Sequence, residues 1–319
     1  MGGTASGHTP VMVDRVLALL EPALQRPGAV MVDATLGRAG HARALLKAHP
    51  GLILIGLDTD AEAIEESRDL LSPYSGRVIL AHAAYDQIAA VLGREGMSRA
   101  HGVLFDLGVS SPQLDQPERG FAYSYDAPLD MRMDRSGPLT AADVVNSYPA
   151  PRLARVLREY GEERFARRIA DAVVRERERS PLTSTSQLTE IIRAAIPAPA
   201  RRSGGHPAKR TFQALRIEVN GEIDTLKRAL PAALDALAVG GRVVVLAYHS
   251  LEDRVVKRAL AARASDTTPR GLPVPLAGAG PQLRLVTRGA QRPSAQEVAY
   301  NPRAAQARLR AAERIRDAA

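Results

Sequence analysis

Short apolar segments that alternate with helix-like segments constrain the fold of this chain more than any other feature. The apolar segments are GAVMVDATLG at 28–37, LILIGLDTD at 52–60, RVIL at 77–80 and GVLFD at 102–106. Between the first three of them, residues 41–49 and 61–71 carry apolar side chains at helical spacing. Because strands that alternate with helices build parallel sheets, the sequence predicts a doubly wound α/β sheet.

The alternation is interrupted in the middle of the chain. From about Thr140 to Ile196 the sequence reads as successive amphipathic helices rich in arginine and glutamate. A fifth strand, GRVVVLAY at Gly241–Tyr248, then resumes the sheet. We therefore predict a helical domain inserted into a sheet domain. The predicted boundaries are 1–138 and 213–319 for the two parts of the sheet domain and 139–212 for the insertion.

The sequence assigns a secondary structure to most of the remaining C-terminal segments and leaves the last one open. Glu218–Leu237 has the pattern of one helix, and Ser265–Pro281 is dense in proline and glycine, as expected for a long loop. QLRLVTR at 282–288 is typical of a strand. The tail from Ala304 to Ala319 fits a helix by propensity or a final strand that pairs with it, and both interpretations stay open.

Composition excludes several classes of site. The 319-residue chain has no cysteine, which excludes disulfides, thiolate zinc sites and cysteine nucleophiles. A formal net charge of +8 and a pI near 10.1 favour a polyanionic partner. No apolar run approaches the ~20 residues that span a bilayer, and the first ten residues lack the pattern of a signal peptide. We expect a cytoplasmic protein without a membrane partner.

The end of the first strand has features of a nucleoside site. Asp33 ends the strand, and Gly37 and Gly40 follow in a turn where backbone can approach a ligand closely. Asp58 ends the next strand, at a separation typical of a carboxylate that binds ribose hydroxyls. The spacing G-x-x-G differs from the G-x-G-x-x-G of nicotinamide enzymes, which favours a nucleoside cofactor without pyrophosphate. An ordinary β-α turn with an exposed Asp58 is the alternative.

Other candidate residues follow later strand ends. Tyr85 follows the third strand, where its ring can pack on an adenine or in the core. Asp106 and Gln113 lie in FDLGVSSPQLD at the end of the fourth strand, where open α/β sheets bind ligands. In the next segment, RGFAYSYDAPLDMRMD, Phe121 is a candidate to stack on a flipped base while Asp130 or Asp106 accepts hydrogen bonds from its amine.

One histidine and two acidic residues follow the fifth strand, in YHSLEDR at Tyr248–Arg254. A single histidine at such a position is more often structural than catalytic. We therefore expect it to support the fold.

Taken together, these segments resemble the 16S rRNA cytosine-N4-methyltransferase family of the MraW/RsmH type nearly from end to end. The motifs that carry the resemblance are HTPVMVDRVL at His8, DATLGRAGH at Asp33, GLDTD at Gly56, FDLGVSSPQLD at Phe105, RGFAYSYDAPLDMRMD at Arg119, YGEERFARRIA at Tyr160, TFQALRIEVNGEI at Thr211 and YHSLEDRVVK at Tyr248. The resemblance implies a class I, Rossmann-like methyltransferase core, S-adenosyl-L-methionine as cofactor, and methylation of a P-site cytosine in the small ribosomal subunit.

The resemblance also implies a set of cofactor contacts. Carried over by matching motif, they are Ala39, Gly40 and His41 in the first loop, Asp58 on the ribose, and Tyr85, Asp106 and Gln113. The family usually has glycine where Ala39 stands and phenylalanine where Tyr85 stands. Alanine is unfavourable at position 39 if its φ angle is positive, but we expect cofactor binding to survive both changes.

The residue inventory narrows the chemistry. Methylation at C5 of a pyrimidine normally proceeds through a thiol adduct, and this chain has no cysteine, so N- or O-methylation remains. An exocyclic amine is a poor nucleophile, and acceptors must hold its N–H groups. Asp106 is either that acceptor or a cofactor ligand, and both roles stay open. In-line transfer needs no metal, and no metal-ligand cluster is apparent in the sequence.

The partner predicted by charge and resemblance is 16S rRNA, within the small subunit or naked. Arg201, Arg202, Lys209 and Arg210 are candidates to neutralise phosphates, although a solvated basic surface explains them equally well. Three other functions stay open: a small-molecule methyltransferase, a nicotinamide dehydrogenase, and an RNA-binding assembly factor without activity. A homodimer is among the assemblies that the sequence leaves open.

Overall fold

The computed structural model describes residues 10–201, 206–266 and 279–317. The chain divides into two compact units, which we describe separately: the first runs to Gly108 and resumes at Ile223, and the second is Val109–Glu222. The predicted α/β class with a helical insertion is confirmed. Both boundaries predicted for the insertion, at 139 and 212, fall inside the second unit.

The described residues of the first unit form a seven-stranded sheet. Its strands are β1 (Val30–Asp33), β2 (Ile53–Asp58), β3 (Val78–His82), β4 (Ala100–Asp106), β5 (Leu237–Ala247), β6 (Leu283–Leu285) and β7 (Arg308–Arg314). Their order is β3-β2-β1-β4-β5-β7-β6. The first five strands are parallel, whereas β7 is antiparallel to both of its neighbours. Asp33, Asp58 and Asp106 therefore end parallel strands at the same edge of the sheet.

Helices cover both faces of this sheet. In chain order, the helices of both units within the described residues are α1 (Val13–Leu24), α2 (Gly40–Ala48), α3 (Ala61–Leu70), α4 (Ile88–Arg94), α5 (Ser111–Asp115), α6 (Ala141–Ser147), α7 (Ala150–Gly161), α8 (Ala166–Arg177), α9 (Thr185–Ala195), α10 (Ala198–Arg201), α11 (Lys209–Asn220), α12 (Glu222–Ala236), α13 (Ser250–Ala264) and α14 (Ala295–Tyr300). Val103 and Phe105 of β4 pack in a core with α4, α12 and α13. Leu104 points to the opposite core, built with α1, α2 and α3. Of the helices within the described ranges, none has the length and apolar character that crossing a bilayer requires.

The C-terminal tail forms a strand. Residues Arg308–Arg314 form β7, inserted between β5 and β6, with Leu309 opposite Leu246 and Glu313 opposite Arg242. The strand prediction for 282–288 holds for the short β6, Leu283–Leu285. Residues 267–278 of the predicted loop lie outside the described residues.

The single helix predicted over 218–237 is wrong, because Gly221 interrupts it. Gly221 has φ 60° and its N–H donates to the carbonyl of Ile217, which ends α11 at Asn220. A left-handed residue of this kind is a standard helix terminus, and glycine adopts it without steric cost. The following helix, α12, begins at Glu222, and Leu237 already belongs to β5.

The second unit is built from helices whose first turns are well capped. Thr140 and Ser184 each form a capping box at the start of α6 and α9. The segment at 119–134 packs with these helices: the Nδ2 of Asn220, in α11, donates to the carbonyl of Met131, and the Oδ1 of Asn220 accepts from the N–H of Met133. This segment therefore belongs to the same compact unit as the helices, which explains why the unit begins before 139.

Candidate functional site

The candidate site lies in the first unit, at the carboxyl edge of the sheet. Asp33, the last residue of β1, is 1% exposed, and burial raises the pKa of its carboxyl group to about 7 despite the opposing charge of His41. The hydroxyl of Thr35 accepts a hydrogen bond of 2.6 Å from the N–H of Asp106. Thr35 also donates its own N–H to Oδ1 of Asp33, at 3.3 Å. The ends of β1 and β4 are thereby joined through one residue.

The turn between β1 and α2 is held by its backbone. Gly37 has φ 50° and its N–H donates to Oδ2 of Asp58 at 2.8 Å. Ala39 has φ 53°, the left-handed conformation that the sequence identified as unfavourable for alanine. Gly40 approaches Pro10 so closely that an added Cβ would lie 2.6 Å from the Pro10 ring. The turn therefore leaves little space for side chains at its centre.

Asp58 holds this turn against β2. Its Oδ2 accepts from Gly37 and its Oδ1 accepts from the N–H of Asp60 at 2.9 Å. Burial raises the pKa of the Asp58 carboxyl group, and these two backbone donors oppose that rise. A carboxylate has about four acceptor positions, so two N–H donors leave capacity for the hydroxyls of a ribose.

Tyr85 follows β3 in a short 3-10 turn and is partly buried. Its ring contacts the fully buried ring of Phe105 edge to face, with centroids 5.8 Å apart. The structure thus places Tyr85 against the core, one of the two positions that the sequence left open. Because β3 is parallel to β2, the residue follows its strand at the same sheet edge as the turn.

Asp106, at the end of β4, is contacted by two side chains from other elements. Its Oδ1 accepts a 2.6 Å hydrogen bond from the hydroxyl of Tyr248, which follows β5. Its Oδ2 lies 3.5 Å from Nδ1 of His41, in α2, and the Asp106 side chain is 22% exposed. Burial and the Asp106 carboxylate raise the pKa of Tyr248 well above its ordinary value, so the hydroxyl keeps its proton.

Sequence analysis did not identify Tyr248 as a site residue. The signal was present in YHSLEDR, because Tyr248 is the first residue after a strand that lies beside β4. Three other side chains of that motif make contacts within the fold, among them the histidine for which a structural role was predicted. The side chain of His249 caps α13, and Glu252 completes the capping box. Asp253 pairs with Arg310 at 2.7 Å.

Three further predicted residues lie in the second unit. Gln113 is buried, and its side-chain oxygen accepts from the N–H of Ser110 at 3.0 Å. Phe121 is 7% exposed and packs in the core of that unit. Asp130 forms a bidentate pair with Arg132, with contacts of 2.9 and 2.8 Å. The roles predicted for these side chains toward a base or a cofactor stay predictions, and the burial of Phe121 gives stacking no support.

Two comparisons identify the family. Residues 5–315 match the model of the MraW methylase family. A protein named Ribosomal RNA small subunit methyltransferase H from Thermobifida fusca is 63% identical over 316 residues, which cover 99% of this chain and 96% of the relative. A protein of the same name from Saccharopolyspora erythraea is 61% identical over 318 residues, which cover 99% of this chain and 96% of the relative. Because both the family model and these relatives extend over nearly the whole chain, the chain belongs to the MraW methylase family.

Proposed function

We propose that this protein transfers a methyl group from S-adenosyl-L-methionine to the exocyclic N4 amine of a P-site cytosine in 16S rRNA. The observation that carries the proposal is the placement of Asp106 at the end of β4, hydrogen-bonded to Tyr248 and close to His41. The names of the relatives support rRNA of the small subunit as the substrate. Such a substrate agrees with the basic charge of the chain and with a place of action in the cytoplasm.

The residues at the sheet edge fit the proposed cofactor. Asp58 would accept from the ribose hydroxyls, and the turn at 37–41 would contact the amino-acid portion through its backbone. The edge of Tyr85 that is not packed on Phe105 would contact the adenine. S-adenosyl-L-methionine supplies an electrophilic methyl group on a sulfonium and carries no phosphate, so it does not need the tighter glycine spacing that this turn lacks.

Asp106 would act on the acceptor amine. The lone pair of an exocyclic amine is delocalised into the ring, and an acceptor that holds an N–H group reorients that lone pair toward the methyl group. The carboxylate of Asp106 is partly exposed and only accepts hydrogen bonds when it is ionised, so it is the kind of group that can accept this N–H. Asp106 would then take up the proton that the amine loses.

Basic residues of the second unit would contribute to rRNA affinity. Lys209 and Arg210 are exposed at the start of α11, and Arg210 also donates to the carbonyl of Glu162. Arg201 is exposed, with its Nε donating to the carbonyl of Ile196. Arg202 lies outside the described residues. If these side chains contact phosphates, affinity for rRNA decreases as the salt concentration rises.

The test is transfer of labelled methyl from S-adenosyl-L-methionine to small ribosomal subunits that lack the modification, beside the naked 16S rRNA. We expect label in N4-methylcytidine, identified by mass spectrometry of the digested nucleosides. Asp106→Asn, in which methyl transfer should be slower by about 10²- to 10⁴-fold, serves as the control. Label in another nucleoside contradicts the proposed target, and tight binding of cofactor and subunit without transfer favours an assembly factor.

A further inference from the structure

His41 has one ring nitrogen whose protonation is determined by a backbone carbonyl. The side chain lies in the first turn of α2 and is 6% exposed. Its Nε2 is 2.9 Å from the carbonyl oxygen of Val11. A carbonyl oxygen only accepts hydrogen bonds, so Nε2 must carry a hydrogen atom. The neutral form of His41 therefore has its hydrogen on Nε2 and an unprotonated Nδ1.

The unprotonated Nδ1 faces Asp106. It lies 3.5 Å from Oδ2 of Asp106, while Oδ1 of the same carboxylate accepts from Tyr248 at 2.6 Å. Two acceptors that face each other become a hydrogen-bonded pair once one of them gains a proton. The distance of 3.5 Å is long for a hydrogen bond, as catalytic contacts often are before substrate binds. A proton on either group would draw the two together.

Two carboxyl groups at the sheet edge interact with His41. They belong to Asp33 at the end of β1 and Asp106 at the end of β4, and Asp58 of β2 acts on Asp33 in turn, while Tyr248 after β5 donates to Asp106. Burial makes Asp33 resist ionisation, and the charge of His41 opposes this effect. A proton that reaches Nδ1 lies beside the carboxylate of Asp106, while Nε2 stays hydrogen-bonded to the carbonyl of Val11.

We propose that His41 receives, through Asp106, the proton that the acceptor amine loses during methyl transfer. This inference rests on the proposed function. The nitrogen lone pair forms the N–C bond, and the electrons of the breaking C–S bond stay on sulfur, giving a neutral thioether. One N–H proton passes to Oδ2 of Asp106 and then to Nδ1 of His41. Asp106 is again a carboxylate, and His41 is an imidazolium whose Nε2–H still donates to Val11.

The direction of the second step follows from basicity. An ordinary imidazole binds a proton about two to three pH units more strongly than an ordinary carboxylate, so a proton on Asp106 moves to an available imidazole nitrogen. His41 acts through Asp106 and does not itself contact the amine. Replacing His41 should therefore change the rate of methyl transfer and the pH dependence of that rate. The position of Asp106 should not change, because the hydrogen bond from Tyr248 still holds its carboxylate.

The first test examines the ring without substrate. Nitrogen-15 NMR of the full chain, labelled at its seven histidines, reports which ring nitrogen carries hydrogen, and the His41→Gln spectrum identifies the signals of His41. As pH rises, we expect Nδ1 to lose its proton while Nε2 keeps its own. A neutral ring with its hydrogen on Nδ1 overturns the proposal, because that nitrogen could not take a proton from Asp106.

The second test measures single-turnover methyl transfer against pH with saturating cofactor. In the wild-type protein, we expect the rate to rise with pH as His41 becomes neutral. In His41→Gln the rate should be lower by about 10- to 100-fold at high pH, and this rise should disappear. His49→Gln, the same substitution at the other end of α2, is the control and should behave as the wild type.

A third variant separates His41 from Asp33. Asp33→Asn should leave the effect of His41→Gln on the rate unchanged, because the proposed proton path runs through Asp106 and not through Asp33. If His41→Gln keeps both the wild-type rate and the rise with pH, the proposal is wrong. If the wild-type protein itself transfers no methyl group to rRNA, the proposed function fails first and the inference falls with it.

Discussion

At the scale of single residues, Asp106 combines contacts from three parts of the chain. Its N–H donates to Thr35 after β1, its carboxylate accepts from Tyr248 after β5, and it faces His41 in α2. Each of these contacts restrains the orientation of the carboxylate. Such restraint suits the role that we propose for Asp106, because a general base must be held within hydrogen-bond reach of the proton that it takes.

Substitution of Asp106 should separate its two possible roles. Asp106→Asn keeps the size of the side chain but cannot take up a proton, so methyl transfer should slow by about 10²- to 10⁴-fold. Tyr248→Phe removes one hydrogen bond to the charged group, which should slow methyl transfer by about 10- to 100-fold. Single-turnover kinetics and calorimetric titration of the cofactor check both. If cofactor affinity falls in parallel with the rate, Asp106 is a cofactor ligand and the acceptor role is wrong.

Ala39 allows a prediction about stability. Its left-handed φ of 53° costs an alanine about 1–2 kcal/mol, whereas its buried methyl group contributes about 0.8 kcal/mol. Ala39→Gly should therefore leave the free energy of unfolding unchanged or raise it by up to about 1 kcal/mol. Urea denaturation followed by circular dichroism measures the change. A loss of more than about 1 kcal/mol would show that packing of the methyl group outweighs the backbone cost.

At the scale of elements, close packing of helices in the second unit depends on Gly161. This residue ends α7, where an added Cβ would lie 2.5 Å from the backbone oxygen of Arg210 and 3.2 Å from the Cβ of Ala214. Because the nearest atom belongs to the backbone of α11, a side chain at 161 would push two helices apart. The glycine is therefore required by the approach of α7 and α11.

A pair of glycine substitutions tests this packing. Gly161→Ala should lower the free energy of unfolding by about 1–3 kcal/mol, the usual effect of overpacking. Gly93→Ala is the matched control, because Gly93 is exposed in α4 and an added Cβ there meets no atom within 4 Å. It should raise stability by up to about 1 kcal/mol. Thermal and urea unfolding give both values, and equal effects at the two positions would contradict the packing argument.

At the scale of the whole molecule, the buried acid at the sheet edge links folding to pH. In the unfolded chain Asp33 loses its proton near pH 3.8, while in the folded protein it keeps that proton until about pH 7. The folded state binds more protons in this window, so the free energy of unfolding decreases as pH rises from about 4 to about 7. Burial of Asp33 at this sheet edge therefore lowers the stability of the protein at neutral pH.

Asp33→Asn should remove this dependence. The free energy of unfolding of the variant, relative to that of the wild type, should increase by on the order of 4 kcal/mol between pH 4 and pH 8.

Glu313→Gln should change stability with pH in the opposite direction. Burial alone would raise the pKa of Glu313, but hydrogen bonds from Arg242 and Arg284 lower it. That variant should lose most stability at neutral pH and least in acid. Urea denaturation across pH checks both, and parallel pH curves for Asp33→Asn and the wild type would refute the assignment.

Sequence alone determined the class of fold and the sheet edge at which the candidate site lies. Alternating apolar and helical segments specify strands and helices locally, and parallel strands place Asp33, Asp58 and Asp106 at one edge. The motifs also determined the family, because these strings extend along nearly the whole chain. These features can be predicted from the sequence because they depend on residue spacing within one segment or on a topology that all parallel sheets share.

Only the tertiary structure decided how distant segments meet. Tyr248 reaches Asp106 across 142 positions of the chain, and no local pattern encodes that contact. The tail at 308–314 has helix-forming residues, yet it forms β7 because hydrogen bonds to β5 and β6 outweigh local propensity. Phe121 had the sequence context of a stacking residue, and only the structure showed that its ring packs in the core of the second unit. The physical reason is the same in each case: burial and hydrogen bonding with partners far along the chain outweigh preferences of single segments.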